Sequence, residues 1–463
     1  MKTRRETDFI GSLELAADTL HGLQTARAAE NFNLDWQATP LELVYAMVEI
    51  KQAAALTYME ADVGKPGVYA AIAAACRRAL AGEADTAFQT QALQGGAGTS
   101  AHMNVCEVLA NLALRELGLP CGLYDAVHPL DDVNRGQSTN DVYPTALRIA
   151  AIRQLRAMSE TCAALQEALQ QKENAFAAIP KLGRTECMDA LPTTLGSEFG
   201  AFAQAIARDR WRLYKVEERL RQINLGGAAV GQGGTDAQTR RCRRRIVEKL
   251  RETTGLGLAA AEYPMDITQN QDVFVEVSGL LKAAAVSWIK IAGDLRRMNA
   301  GPAGGLAEIR LAPLQTGSTA MPGKFNPVLP EMLQQVAMRV IGNDAAITLA
   351  ASQGEFELNA FLPLIAHCLL ESLHLMTRAA ALFREKCIEP LEADPARCAE
   401  WLARSDVFAR AHVGTLGHET VSDLLCRHSG DPETLRQALA AALAAKTQET
   451  AARSAANGSR AAD

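Results

Sequence analysis

Residues 274–295 read FVEVSGLLKAAAVSWIKIAGDL, and the spacing of their apolar side chains decides the fold class. Phe274, Val277, Leu281, Ala284, Trp288, Ile291 and Leu295 advance by alternating steps of three and four, the period of an α-helix and not of a strand. They draw one stripe down about six helical turns, and so long a stripe is best buried against other long helices. Comparable patterns cover 145–172, 198–222 and 330–387, the last interrupted near Asn343 and Asp344, at Gly354 and at Pro363. Strand-like alternation is scarce, aromatic residues make up only 5%, and alanine is abundant, which suits helices in close contact. The expectation is an all-α protein built on a bundle of long helices.

Composition narrows the function around that bundle. A chain of 463 residues with 48% hydrophobic content has ample apolar surface for a large core. Its formal charge of -6 offers no basic excess for nucleic acid, and no run reaches the roughly 18 apolar residues of a membrane helix. The opening residues, MKTRRETDFIGSLELAADTL, turn acidic before any apolar segment of the kind a secretory signal requires. Ten cysteines are scattered without a Cys-x-x-Cys pair or a histidine in ligand spacing, so no metal is expected and a reduced cytoplasm fits. Residues 444–463 lose apolar periodicity and are expected to fray.

Loop chemistry gathers in four places. They are QGGAGTSAHMNVCEVLANLAL (94–114), HPLDDVNRGQSTNDVYPTALRIA (128–150), GRTECMDALPTTLGSEF (183–199) and QTGSTAMPGKFNPVLPEM (315–332). Each places hydroxyl, amide or backbone donors at or near an expected helix N-terminus, where an anion is most easily held. Taken singly, each also reads as an ordinary helix cap, and Arg184 with Asp189 as a structural ion pair. The fourth stretch resists that plain reading. It sets Ser318, Lys324 and Asn326 on one glycine- and proline-rich loop, a combination suited to acid–base work on a carboxylate. Arg240 to Arg245, RRCRRR, reads as a solvated face or an inter-subunit charge patch, and Cys187 as a buried small residue.

All four stretches, in this order, resemble the signature regions of the aspartase/fumarase superfamily, and GSTAMPGKFNP resembles its signature loop. The likeness extends from TRRETDFIGSLELAADTLHGLQTARAAENFNL through TQNQDVFVEVS to GEFELNAFLPLIAHCLLES, and QGGAGTS and HPLDDVN resemble the aspartase branch. The resemblance implies a three-part helical subunit: an N-terminal domain over 1–138, a central long-helix bundle over 139–390, and a small C-terminal domain over 391–463 with a disordered tail. It implies a homotetramer whose active sites form where loops of three subunits meet, which would reunite stretches far apart on one chain.

The chemistry implied is elimination of ammonia from L-aspartate, or a close amine-bearing dicarboxylate, to give fumarate without metal or organic cofactor. The proton removed lies beside the β-carboxylate and is barely acidic, so stabilising the aci-carboxylate intermediate is the main task. By resemblance Ser318 is the base. Thr99, Ser138, Thr139 and Thr185 hold the β-carboxylate or amino group, Asn140 contacts the amino group, and Lys324 with Asn326 clamps the α-carboxylate. Two residues depart from the pattern: Glu186 stands where histidine or glutamine is usual, and His102 replaces a usual asparagine. A carboxylate at 186 favours a cationic leaving group and opposes malate, while His102 is read either as supplying the lost imidazole or as pairing with Glu186. Glu331 matches the acid that would partner the missing histidine. Other readings are a related C–N lyase with a different N-substituted substrate, a fumarase, or a non-catalytic scaffold on the same fold.

Overall fold

The computed structural model describes residues 2–233 and 237–460, and helix dominates them. The stripe behaves as its spacing predicts. Phe274, Val277, Leu281, Ala284, Trp288, Ile291 and Leu295 lie on helix Asp272–Met298, and none is more than 3% exposed. The patterns at 145–172 and 198–222 become helices Thr139–Ala175 and Leu195–Leu220. The third becomes helices Val328–Ala351 and Leu362–Phe383, with the interruption at Gly354 realised and Pro363 tolerated in the first turn of the second helix.

The expected interruption at Asn343 and Asp344 is absent. Both residues are buried inside a continuous helix, where their polar atoms are satisfied by side chains of other helices. Asn343 Nδ2 donates to Ser372 Oγ at 3.0 Å and to Glu371 Oε2 at 2.7 Å. Asp344 accepts from Ser278 Oγ at 2.9 Å and from Lys282 Nζ at 2.5 Å. Tertiary hydrogen bonds here outweigh the weak local helix propensity of Asn and Asp.

Two compact units divide the chain. The first comprises Met1–Cys162, Arg208–Ser287 and Gln335–Ala379, and the second Ala163–Ala207, Trp288–Gln334 and Ala380–Asp463. In the first, helix Leu41–Glu60 packs against Val68–Leu80 and Ala237–Thr254, and Val68–Leu80 against Thr99–Glu116. Fully buried alanines such as Ala46, Ala53, Ala75 and Ala110 allow close approach. The arginine run lies on Ala237–Thr254; Arg240, Arg241, Arg244 and Arg245 are exposed, and Arg245 pairs with Glu60 at 3.3 Å.

The second unit contains an antiparallel hairpin of Pro180–Thr185 with Met188–Thr194 and a small C-terminal core of Ala409, Val421, Leu435 and Leu439. The hairpin takes up most of the loop stretch read over 183–199. Most of Met188–Thr194 is exposed or half-exposed, so no period-two apolar signal marks it. The segment expected to fray is helical to Arg460 within helix Pro432–Arg460, consistent with the high helix propensity of its alanines, and residues 461–463 lie outside the described residues. Among the described residues no helix is long and apolar enough to cross a membrane.

Candidate active site

The first unit carries Thr99, His102, Ser138, Thr139 and Asn140 at two helix starts. Gly96, Ala97 and Gly98 all adopt positive φ, of 76°, 56° and 92°, to bring the chain into helix Thr99–Glu116. Gly98 has no substitute there, since a Cβ would lie 2.3 Å from the Tyr143 ring. Thr99 Oγ1 donates to the Gly96 carbonyl at 2.6 Å, and Gln94 Oε1 accepts the Ala101 N–H at 2.9 Å, satisfying one donor of the first turn.

Ser138 caps helix Thr139–Ala175 in a reciprocal arrangement. Its Oγ accepts the Asn140 N–H at 3.3 Å, while Asp141 Oδ1 accepts the Ser138 N–H at 2.9 Å. The plain capping role is therefore real at Ser138. Asp141, wholly buried, also draws in the glycine loop by accepting the Gly226 and Ala228 N–H groups at 3.0 and 2.9 Å. Burial nevertheless pushes its carboxyl above the ordinary aspartate value. Pro144, six residues into the same helix, cannot donate to the Asn140 carbonyl four residues back. Asn224 Nδ2 fills the gap at 2.9 Å, and the Asn140 side chain donates to the Ala229 carbonyl at 2.8 Å.

His102 and Thr139 meet across the two helix starts, with Nδ1 and Oγ1 2.8 Å apart in a buried position. Below this loop Lys51, only 1% exposed, donates to Asn134 Oδ1 at 2.8 Å and Gln137 Oε1 at 3.0 Å. Burial lowers the Lys51 ammonium below its usual range. Burial and, secondly, the Lys51 charge hold His102 well below the ordinary histidine value.

The second unit carries Thr185, Glu186, Ser318, Lys324, Asn326 and Glu331. Glu186 and Cys187 form the two-residue turn of the hairpin, both left-handed with φ of 53° and 63°, a geometry that usually selects Asn-Gly. The turn presents Thr185, Glu186 and Cys187 to solvent, so Cys187 is exposed and not the buried residue its type suggests. The strands beneath are held firmly. Lys181 Nζ bridges Glu198 and Glu308, each at 2.7 Å, and Arg184 Nη1 reaches Glu308 at 2.8 Å. Arg184 thus pairs with Glu308 and not with Asp189, because the fully buried Glu308 carboxylate requires compensation that an exposed Asp189 does not. Arg410 donates to the Asp189 and Ala190 carbonyls at 2.7 and 2.8 Å.

The 317–326 loop closes on itself. Gly317 N–H donates to the Lys324 carbonyl at 3.0 Å, and Asn326 Nδ2 to the Gly317 carbonyl at 2.6 Å. Inside it Ser318 Oγ accepts the N–H groups of Ala320 and Met321 at 3.2 and 2.9 Å, donors that favour a negative oxygen. Lys324 is exposed and, among the described residues, joins no ion pair. A cleft of about 520 Å³ is lined by Lys324, Asn326, Glu331, Arg296 and Arg297, and Arg296 pairs with Glu331 at 3.5 Å. A second, of about 1070 Å³, is lined by Glu186, Lys290, Arg297 and Trp401 among others.

The motif reading passed over Arg296, Arg297 and Lys51. The paired arginines carry a readable signal, as cations ending helix Asp272–Met298 off its apolar stripe. Lys51 carries none, since one lysine inside an apolar helical run does not disclose its burial. Among the described residues no group of three or more His, Cys, Asp or Glu side chains is placed to hold a metal ion.

Comparison with known proteins locates these features in a wider group. A family profile described as lyase matches residues 11–342. The chain is 41% identical over 423 residues to an aspartate ammonia-lyase of Pseudomonas aeruginosa, covering 90% of this chain and 88% of that protein. It is 38% identical over 420 residues to the aspartate ammonia-lyase of Bacillus subtilis, covering 90% and 88%. Among solved structures, a fumarate lyase:delta crystallin from Brucella melitensis superposes with a TM-score of 0.88 at 39% identity, covering 95% of this chain and 100% of that one. A class II fumarase from Schistosoma mansoni does so with a TM-score of 0.87 at 28% identity, covering 92% of each.

Proposed function

Since the chain belongs to the lyase family that unites aspartases and fumarases, we propose that it eliminates ammonia from L-aspartate, or a close amine-bearing dicarboxylate, to give fumarate. The reaction takes place in a cytoplasmic homotetramer whose sites combine segments of neighbouring chains. Ser318 Oγ, as alkoxide, takes the Cβ proton; the electron pair first rests on the β-carboxylate as the aci form, then makes the carbon–carbon double bond as the C–N bond breaks and ammonia leaves. Thr99, Ser138, Thr139 and Thr185 hold the β-carboxylate or amino group, Asn140 and Glu186 face the amino group, and Lys324 with Asn326 holds the α-carboxylate.

The observation that carries this reading is the Ser318 turn. Two backbone N–H groups already aimed at the hydroxyl oxygen stabilise an alkoxide more than a neutral hydroxyl, which is what a serine base needs. The Lys324 ammonium, on the same closed loop, is available to a carboxylate. Glu186 supports an amine substrate over malate, because an exposed carboxylate attracts an ammonium and repels a further carboxylate.

The test is the ultraviolet absorbance of fumarate formed from L-aspartate, with L-malate in parallel. Fumarate from aspartate alone is expected. Fumarate from malate alone would make the protein a fumarase, and none from either would overturn the aspartase reading in favour of a lyase for another N-substituted substrate or the scaffold.

A further inference from the structure

His102 is buried to 1% exposure, and its Nδ1 lies 2.8 Å from Thr139 Oγ1 at the start of another helix. Its other ring nitrogen, Nε2, is buried without a hydrogen-bond partner. A neutral ring carries a single N–H, so two arrangements are available. With the proton on Nε2, the buried N–H makes no hydrogen bond of normal length, since the Asn134 side chain, which favours the charged ring, already accepts from Lys51 at 2.8 Å, and Thr139 must spend its own O–H on Nδ1. With the proton on Nδ1, the ring donates to Thr139 and only a lone pair is left unmet at Nε2. Orphaned buried N–H groups are the rarer of the two defects in folded proteins, which favours the second arrangement.

We propose that His102 is a positioning residue that fixes the sense of the Thr139 hydroxyl: Nδ1–H donates to Thr139 Oγ1, and the Thr139 O–H is thereby turned outward as a donor to the substrate carboxylate. The inference rests on the reading that Thr139 contacts the substrate. The residue sets specificity by polarity. A Thr139 whose proton is bound to the ring offers only lone pairs and suits an ammonium, whereas one that receives the ring's proton offers a donor and suits a carboxylate. Burial and the nearby Lys51 charge keep the ring neutral, so it remains a single-proton device.

The discriminating variants differ in which ring atom they imitate. The Asn amide nitrogen falls near the position of Nδ1 and that of Gln near Nε2, so His102→Asn restores the donor to Thr139 and His102→Gln does not. His102→Leu removes it altogether. Succinate, a dicarboxylate without an amine, is the binding probe, measured by calorimetry and as an inhibitor of aspartate turnover.

Wild type and His102→Asn should bind succinate within a few-fold of each other, and His102→Gln and His102→Leu about 10-fold more weakly, the loss falling on KM more than on kcat. In a Thr139→Val background the His102 substitutions should lose this effect, because the hydroxyl they orient is gone. Should His102→Leu fold poorly, the Asn and Gln variants give the same discrimination. Equal binding by folded Asn and Gln variants, or additive losses in the double-mutant cycle, would overturn the positioning role. Failure of the wild type to bind succinate at all would sink the dicarboxylate reading and this inference with it; binding that is indifferent to position 102 sinks the inference alone.

Discussion

If Ser318 is the base and Glu186 faces the amine, as proposed, their substitutions should fail in different ways. Ser318→Ala removes the proposed base while leaving the loop closure between Gly317, Lys324 and Asn326 intact. Turnover should fall by about 100-fold to 10,000-fold with an unchanged melting temperature, and near-full activity would remove Ser318 from its role. Glu186→Gln should raise the KM for aspartate while succinate inhibition stays equal or strengthens, because the lost charge attracted the amine and repelled the carboxylates. Equal shifts for both ligands would make Glu186 a general electrostatic or structural group. His102 has a separate signature in stability. Its folded value lies well below the ordinary 6.5, so its contribution is present above about pH 6.5 and is lost as pH falls, when the unfolded ring takes a proton that the folded ring refuses. Between pH 7 and pH 5, His102→Asn should therefore lose less unfolding free energy than wild type, by up to about 1.4 kcal/mol for each unit below 6.5. His21 and His367, also lowered by burial, act in the same direction in both proteins and cancel from the comparison. Identical acid slopes in denaturant titrations would contradict the buried neutral ring.

Helix Thr139–Ala175 shows how one element absorbs a local defect next to the proposed substrate contacts. Pro144 deprives the Asn140 carbonyl of its helical donor, and Asn224 replaces that donor while its amide also reaches Thr268 Oγ1 at 2.8 Å. Thr268 Oγ1 keeps its bond to the Pro264 carbonyl at 2.7 Å, so Asn224→Ala leaves chiefly the part-buried Asn140 carbonyl without a donor and should cost about 1–3 kcal/mol. Activity should fall alongside, since Asn140 sits on the displaced turn; an unchanged midpoint in urea would show that water or a shifted helix replaces the amide. The Pro144 defect is legible in the sequence, but its remedy is not, because Asn224 lies 80 positions away and only folding brings it near. The same distinction runs through the other elements. The 274–295 stripe was readable because core burial repeats on every turn, and the Ser318 loop because glycine and proline mark it. The Glu186 hairpin was not readable, because its strands are short, largely exposed and held by Glu308 and Arg410 from remote sequence. Asn343 and Asp344 misled for the converse reason: locally they oppose a helix, and their partners Glu371, Ser372, Ser278 and Lys282 lie on other helices.

At the scale of the whole molecule, the candidate residues fall into two groups in two compact units of the chain: Thr99, His102, Ser138, Thr139 and Asn140 in one, and Thr185, Glu186, Ser318, Lys324, Asn326 and Glu331 in the other. If sites form between copies, the Thr139 and the Ser318 of one site come from different chains. Two variants impaired in different segments, Thr139→Val and Ser318→Ala, should then complement one another when their chains are mixed. In randomly assembled oligomers from equal amounts, a site is intact when its Thr139-bearing chain is the Ser318→Ala variant and its Ser318-bearing chain is the Thr139→Val variant. Each condition is met half the time, so about one quarter of sites should regain both groups. The mixture is unfolded and refolded together, its fumarate production from aspartate is compared with wild type, and each variant refolded alone gives the baseline. Recovery near a quarter of wild-type activity supports sites shared between chains. With assembly verified by light scattering and both variants folded, recovery no greater than the baseline would mean that one chain supplies both groups, and the assignment of these segments to different subunits would fall.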